Sequence, residues 1–321
     1  MYETISKEAI KAKKKYKRVG FVISAISLNP LKMSKIKVLI QRFYLYFVIG
    51  LFSKKAKESK FEKINMNGIR SWKITTPNSD PNKILLYFHG GAYIAGSSRA
   101  YYPMISHIAD VSKFTVYMPD YRLAPEYLYP TQLEDGVNAY KSLIEEFGYS
   151  HKQIAIGGDS AGGNLAFVTI FKLREEGIEL PKAIFSFSPW ADPAATGDTY
   201  TIEICEKDLL LGPVFKKTWT KYKADAYLTY YVPDEVMSEN DPYICPIKGN
   251  FKHFPPTLIH VGKDELLLSD SRSLKFGLDR DNVELEYKEW DNLWHVFQVE
   301  SLIPESQESF KLVSKFLNTN I

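Results

Sequence analysis

Gly157-Gly158-Asp159-Ser160-Ala161-Gly162-Gly163-Asn164 sets one serine between glycines two positions away on either side. A sharp strand-to-helix turn needs that spacing. The residue at its apex is strained, its hydroxyl is lifted clear of the backbone, and bulk at Gly158 or Gly162 would block the turn. Alone the pattern is weak, arising by chance in roughly one chain in ten of this length. The flanks decide. Gln153-Ile154-Ala155-Ile156 is an apolar run fit for a buried strand, and Leu165, Val168, Phe171 and Leu173 recur at helical spacing until Gly177, a stop signal. The stretch therefore predicts strand, turn and helix, with Ser160 presented as a nucleophile.

The same rhythm extends in both directions. Ile84 to Phe88, Phe114 to Met118, Ala183 to Phe187 and Thr257 to Val261 are further candidate strands, several of them apolar at consecutive positions, as strands buried on both faces are. Leu285-Glu286-Tyr287 alternates and suits a strand nearer a sheet edge. Tyr102 to Val111, Leu133 to Phe147 and Ser160 to Glu176 read as helices between them. This alternation predicts an α/β fold with a mostly parallel sheet covered on both faces. Residues 193–241 break the rhythm with polar and aromatic residues and helix-like pieces around Leu209 to Tyr222. So long an interval between two strands exceeds one crossover helix and predicts an insertion.

The 321 residues, 45% hydrophobic and 25% charged, have an ordinary globular composition. The net charge of +3 hides an asymmetry: residues 1–63 hold 16 Lys/Arg against 4 Glu, an excess of +12, which leaves −9 for the rest. Positive charge confined to one end, with no accompanying motif, argues against a nucleic-acid partner. Lys11 to Arg18 followed by the apolar run Phe21 to Leu28 imitates a signal peptide, but the run is short and no small-residue cleavage site follows. Phe43 to Phe52 is too short to span a bilayer. The two stretches read as helices of a cap; the sharper alternative is a basic amphipathic surface that touches a membrane or micelle. Cys205 and Cys245 form no metal or redox spacing, and a reducing, cytoplasmic setting is expected. Nothing in the sequence sets an oligomeric state.

A serine nucleophile needs a base, a carboxylate to hold that base, and N–H donors for the developing oxyanion. Of the six histidines, His260 lies within an apolar strand, where a core role is expected, and His107, His151 and His253 sit in helix or loop contexts that predict solvated side chains. His295 follows the last strand, in Asp291-Asn292-Leu293-Trp294-His295-Val296-Phe297, from where it can reach back over the sheet to Ser160. Asp264, just after Thr257 to Val261, is the expected carboxylate, with Asp192 as its rival; Glu265 and Asp270 read as solvated or capping. Phe88-His89-Gly90-Gly91-Ala92-Tyr93 follows a strand, so Gly90 and Gly91 can offer backbone N–H groups, joined by Ala161 after the nucleophile, each donor lowering the barrier by roughly 3 kcal/mol. His89 itself reads as a structural hydrogen-bonder.

Phe88 to Tyr93, Tyr121-Arg122-Leu123-Ala124-Pro125-Glu126, Gly158 to Gly162, Ser188-Pro189-Trp190, Asp264-Glu265-Leu266 and Trp294-His295-Val296-Phe297 occur in the order found in one family. From about residue 82 onward the chain resembles a hormone-sensitive-lipase-type esterase of the α/β-hydrolase superfamily, of the bacterial acetyl-esterase and epsilon-lactone-hydrolase group. The resemblance implies an eight-stranded, mostly parallel sheet with a helical cap, no metal or organic cofactor, and a small-molecule ester substrate of short to medium acyl length. It implies residues 1–55 as the N-terminal cap segment and 56–321 as the catalytic domain, with 193–241 contributing to the cap. Ala92 departs from the family's third glycine. Its N–H remains a donor, but a positive φ there would cost about 1 kcal/mol. Tyr121 to Glu126 is expected to anchor a loop through Arg122. An amide or small-peptide hydrolase and a non-catalytic binding relative are the alternatives, separable by matched ester and amide substrates and by a fluorophosphonate probe.

Overall fold

A computed structural model describes residues 5–26, 34, 36–40, 42, 43, 46, 54–213, 215, 231–236, 238 and 240–321. Eight strands form one sheet: β1 (Lys60–Met66), β2 (Ile69–Thr75), β3 (Asp80–Phe88), β4 (Phe114–Pro119), β5 (Ile154–Asp159), β6 (Ala183–Phe187), β7 (Thr257–Gly262) and β8 (Leu285–Trp290), in the order β1-β2-β4-β3-β5-β6-β7-β8. The pairs β1–β2 and β2–β4 are antiparallel and all others parallel. Every candidate strand appears: β6 keeps its expected bounds, β5 starts one residue later at Ile154 and runs on to Asp159, and the others are longer by a few residues, with β8 at the edge showing exposed and half-buried positions.

β1 and β2 carry no strong apolar run and were not anticipated. Their signal is the turn. Asn67 and Gly68, with φ of 48° and 84°, join Met66 to Ile69 in the two-residue hairpin geometry that Asn-Gly favours.

The strands bury alternate side chains on opposite faces. From β3, Ile84, Leu86 and Phe88 enter one apolar cluster, while Leu85 and Tyr87 enter another. The first cluster is covered by α3 (Thr131–Glu145), α4 (Ala161–Glu175) and α6 (Leu268–Arg280), the second by α2 (Ser98–Ser112) and α7 (Pro304–Asn320). α1 (Lys7–Ile26) adds a third cluster by laying Ala9, Ala12 and Tyr16 against Trp290, Leu293, Trp294 and Phe297. Its buried positions recur at one helical face, a stripe narrow enough to be hidden among lysines.

The run Phe21 to Leu28 is helical to Ile26 and then passes outside the described residues; most of Phe43 to Phe52 and of Leu209 to Tyr222 also lies outside them. Within 193–241, α5 (Ile202–Lys207) is described. Among the described residues no helix is long and apolar enough to cross a membrane. Cys205 and Cys245 are both free and buried.

Candidate active site

The site gathers where β3, β5, β6, β7 and β8 end. Ser160 links β5 to α4 with φ 52° and ψ −121°, a strained backbone for a residue bearing a side chain. Its N–H donates to the Phe187 carbonyl (3.0 Å) and its carbonyl accepts from Trp190 N–H (3.0 Å). The two flanking glycines are needed for space: a Cβ on Gly158 would overlap the Gly162 carbonyl, and one on Gly162 would overlap that of Phe88. Ala92 (53°), Tyr93 (60°), Ser188 (46°) and Val296 (47°) share the positive φ of Ser160, and all border the same strand ends. Such strain, on the order of 1–3 kcal/mol per residue, persists only where surrounding packing enforces it.

The loop after β3 is held from within. Tyr121 stacks on His89 with ring centroids 4.4 Å apart, and its hydroxyl donates to the His89 carbonyl (2.6 Å). His89 Nδ1 lies 2.8 Å from the Gly90 carbonyl and donates to it, so His89 is structural, with burial lowering its pKa. The Gly90 N–H donates to Asp159 Oδ1 (3.1 Å), which also accepts from the Tyr87 hydroxyl (2.9 Å). Gly90 is therefore not available as the donor expected of it, because a buried carboxylate next to Ser160 holds its N–H. Gly91 and Ala92 N–H groups meet no acceptor among the described residues, and Ala161 opens α4, where first-turn N–H groups have no partner within the helix. The positive φ of Ala92 puts it on the costly branch expected for a methyl there.

The carboxylate that meets His295 is Glu265, not Asp264. Glu265 is fully buried; its Oε1 lies 3.2 Å from His295 Nδ1, and its Oε2 accepts from Ser188 Oγ (2.8 Å) and Gly262 N–H (2.9 Å). Asp264 turns the other way, toward α1, where its Oδ2 accepts from Lys13 Nζ (2.7 Å). Consecutive residues of the turn after β7 point to opposite sides, and the lysine of α1 claims the first. Asp192 accepts from the Thr196 N–H and hydroxyl and does not reach His295. Asp270, read as solvated or capping, is buried and accepts from Ala191 and Asp192 N–H groups, with burial raising its pKa far above the carboxylate range.

A carboxylate at Nδ1 makes that nitrogen the donor and leaves Nε2 as the free lone pair of His295. Burial alone would lower the His295 pKa, but the Glu265 hydrogen bond and charge, joined by Asp208 and Asp159, more than offset it and set the group above the usual imidazole range. Asp159 is pushed up to about 7, chiefly by burial. Ser188 ties the parts together: its neighbour Phe187 accepts from Ser160, and its Oγ both accepts from Val296 N–H (3.2 Å) and donates to Glu265. Asp208, from the segment after β6, accepts from Leu266 N–H (3.0 Å) and so secures the turn that carries Glu265.

Glu265, read from the sequence as solvated or capping although it lies in Asp264-Glu265-Leu266, is instead buried against His295. Asp208 was not singled out, and Ser188 carried a signal only through its place in Ser188-Pro189-Trp190 after a predicted strand. The other histidines stand apart: His260 bonds Ser309 in the core with its pKa lowered by burial to about 3, while His107 and His151 bond the Lys54 carbonyl and Glu179. Arg122 holds Asp135 through paired hydrogen bonds of 2.6–3.0 Å, the anchoring role expected of its motif.

A family model of the alpha/beta hydrolase fold matches residues 85–299. An acetyl-hydrolase of Streptomyces hygroscopicus is 30% identical over 244 residues, 76% of this chain and 78% of its own. An esterase of Acinetobacter venetianus is 26% identical over 254 residues, 79% of this chain and 80% of its own. A crystal structure of an esterase from the bacterial hormone-sensitive lipase family superposes with a TM-score of 0.84 at 29% identity, covering 99% of both chains.

Proposed function

The chain belongs to the alpha/beta hydrolase fold family and is an esterase of the hormone-sensitive-lipase type, and from that premise we propose how it hydrolyses its substrate. His295 Nε2 takes the proton of Ser160 Oγ as the oxygen attacks the ester carbonyl. Glu265 keeps the imidazole in the Nδ1–H tautomer and stabilises the imidazolium. The N–H groups of Gly91, Ala92 and Ala161 receive the negative charge on the former carbonyl oxygen. As the tetrahedral intermediate collapses, the C–O bond to the alcohol breaks and His295 Nε2 returns its proton to the leaving oxygen. Water then attacks the acyl-Ser160 ester, giving its proton to the same nitrogen, and the acid departs as Ser160 recovers its hydrogen.

The observation that carries this reading is the buried contact between His295 Nδ1 and Glu265 Oε1, held through Ser188 beside the strained Ser160. Tyr93 stacks on Tyr231 at 4.3 Å and its hydroxyl donates to Asn164, which anchors the Trp190 carbonyl. Because Asn164 also donates its N–H to the Ser160 carbonyl, this aromatic packing borders the turn of the nucleophile, and we read it as favouring short to medium acyl chains. Residues 1–55, with part of 193–241, act as the cap over this space; α1 lies on the loop that carries His295.

The direct test is Ser160→Ala. Turnover of p-nitrophenyl acetate should fall to background and covalent labelling by a fluorophosphonate should disappear. Undiminished turnover in that variant rules out the nucleophile assignment.

A further inference from the structure

Residues 36–40, 42, 43 and 46 are helical and turn an unusual side outward. Val38 is buried, and Arg42 one turn later points into the molecule, donating to the Ile94 and Ala124 carbonyls and pairing with Glu126. The apolar residues do the opposite. Ile36 and Phe43 are 70% and 71% exposed, and Leu39, Ile40 and Tyr46 are exposed with them. Their spacing of three and four places them on one helix face. Tyr127 and Leu128, beside the Glu126 that Arg42 holds, are exposed as well. Scattered apolar residues on a surface need no explanation, but a stripe of them along one helix, anchored from behind by an arginine, marks a docking face.

Charge identifies what docks. Between Glu8 and Glu58 the chain has thirteen Lys/Arg and no Asp or Glu. Lys54, Lys55 and Lys57 are exposed. A second copy would bring the same excess of positive charge against itself, which disfavours self-association through this face. A surface that is apolar beneath and negative at its rim suits both features, and an amphipathic helix lying in the plane of a lipid interface combines the same two forces.

We propose that the helical face of Ile36, Leu39, Ile40, Phe43 and Tyr46 docks this protein on anionic lipid surfaces. Because Arg42 Nε holds the Ile94 carbonyl at 2.7 Å, the docked helix is tied to the loop that carries Gly91 and Ala92. The docking stands independently of the esterase reading, since it is measured as binding.

The test uses the full chain with Ser160→Ala, so that vesicles stay intact, and follows co-sedimentation. Vesicles of phosphatidylcholine with about one third phosphatidylglycerol should capture the protein, vesicles of phosphatidylcholine alone should capture far less, and high salt should weaken capture. Leu39→Asp/Phe43→Asp should lower partitioning at least about tenfold, because both changes put charge where acyl chains would be. Lys54→Glu/Lys55→Glu/Lys57→Glu should lower it for anionic vesicles. The Leu39→Asp/Phe43→Asp variant should keep the parent Tm to within about 2 °C, because both side chains are exposed, so that a loss of capture reports on the surface and not on the fold. Absence of capture by the parent, or capture undiminished in the Leu39→Asp/Phe43→Asp variant, overturns the proposal. So does a dimer in solution that this variant dissociates, since a second copy would then own the face.

Discussion

At the turn Lys263-Asp264-Glu265-Leu266 two adjacent carboxylates have opposite surroundings. Asp264 is partly open to solvent and bonded to Lys13; Glu265 is buried against His295. A carboxylate that orients a base must be desolvated and directed at Nδ1, and only Glu265 is. Glu265→Gln should therefore lower kcat by roughly 10²–10⁴. Its effect on pH dependence follows from sign. Glu265 raises the His295 pKa, and the base works only when neutral, so removing the charge should move the acidic limb of the kcat/KM profile to lower pH. Asp264→Asn should leave that limb in place. A shift in the Asp264 variant with none in the Glu265 variant would return the role to Asp264. The sequence pointed to Asp264 of this turn, with Asp192 as its rival, because composition does not say which of two neighbours faces inward.

α1 is a strap across two loops. Lys13 Nζ donates to Asp264 Oδ2 and to the Asn292 carbonyl, both at 2.7 Å, and so joins the turn before Glu265 to the loop before His295. Tyr16 packs on Trp294 with ring centroids 5.5 Å apart. Lys13→Met keeps the aliphatic stem but removes both bonds. We expect a stability loss of about 1 kcal/mol, read as a fall of roughly 2–4 °C in Tm, and a several-fold lower kcat with KM little changed. A Tm loss with kcat untouched would mean the strap stabilises without aligning. The helix itself was legible as a basic, cap-like segment. Its contacts were not, because Ala9, Ala12 and Tyr16 form a stripe too thin to stand out among lysines.

For the molecule as a whole, burial raises several carboxyl pKa values: Asp159 to about 7, with Asp208, Asp270 and Glu300 also raised. A carboxyl whose folded pKa exceeds its unfolded one binds more protons when folded. Its contribution to stability is greatest at low pH and declines as pH rises from the unfolded pKa through the folded one. For Asp159 that window runs from 3.8 to about 7. Asp281 has the opposite sign, since Arg280 and the Phe251 N–H lower it to about 2, but its partner Arg280 is largely exposed and the pair is screened by solvent. Asp159→Asn mimics the protonated acid and keeps an acceptor for the Gly90 N–H. Its Tm relative to the parent should rise between pH 5 and pH 8, by thermal melts across about that range. A difference independent of pH would mean Asp159 titrates where it does when unfolded.

What the sequence by itself determined was local. The alternation of apolar runs and helical periodicity specified the strand succession from β3 to β8, and glycine spacing specified the turn at Ser160, because both are short-range consequences of backbone geometry. His295 was singled out by its place after the last strand. Tertiary structure decided the pairings. Glu265 meets His295 across 30 residues of chain and Lys13 reaches Asp264 across 251. Gly90 lost its N–H to Asp159, on another strand, 69 residues away. Each of these outcomes depends on which side of a turn faces a neighbouring segment, and that direction exists only once the segments have packed.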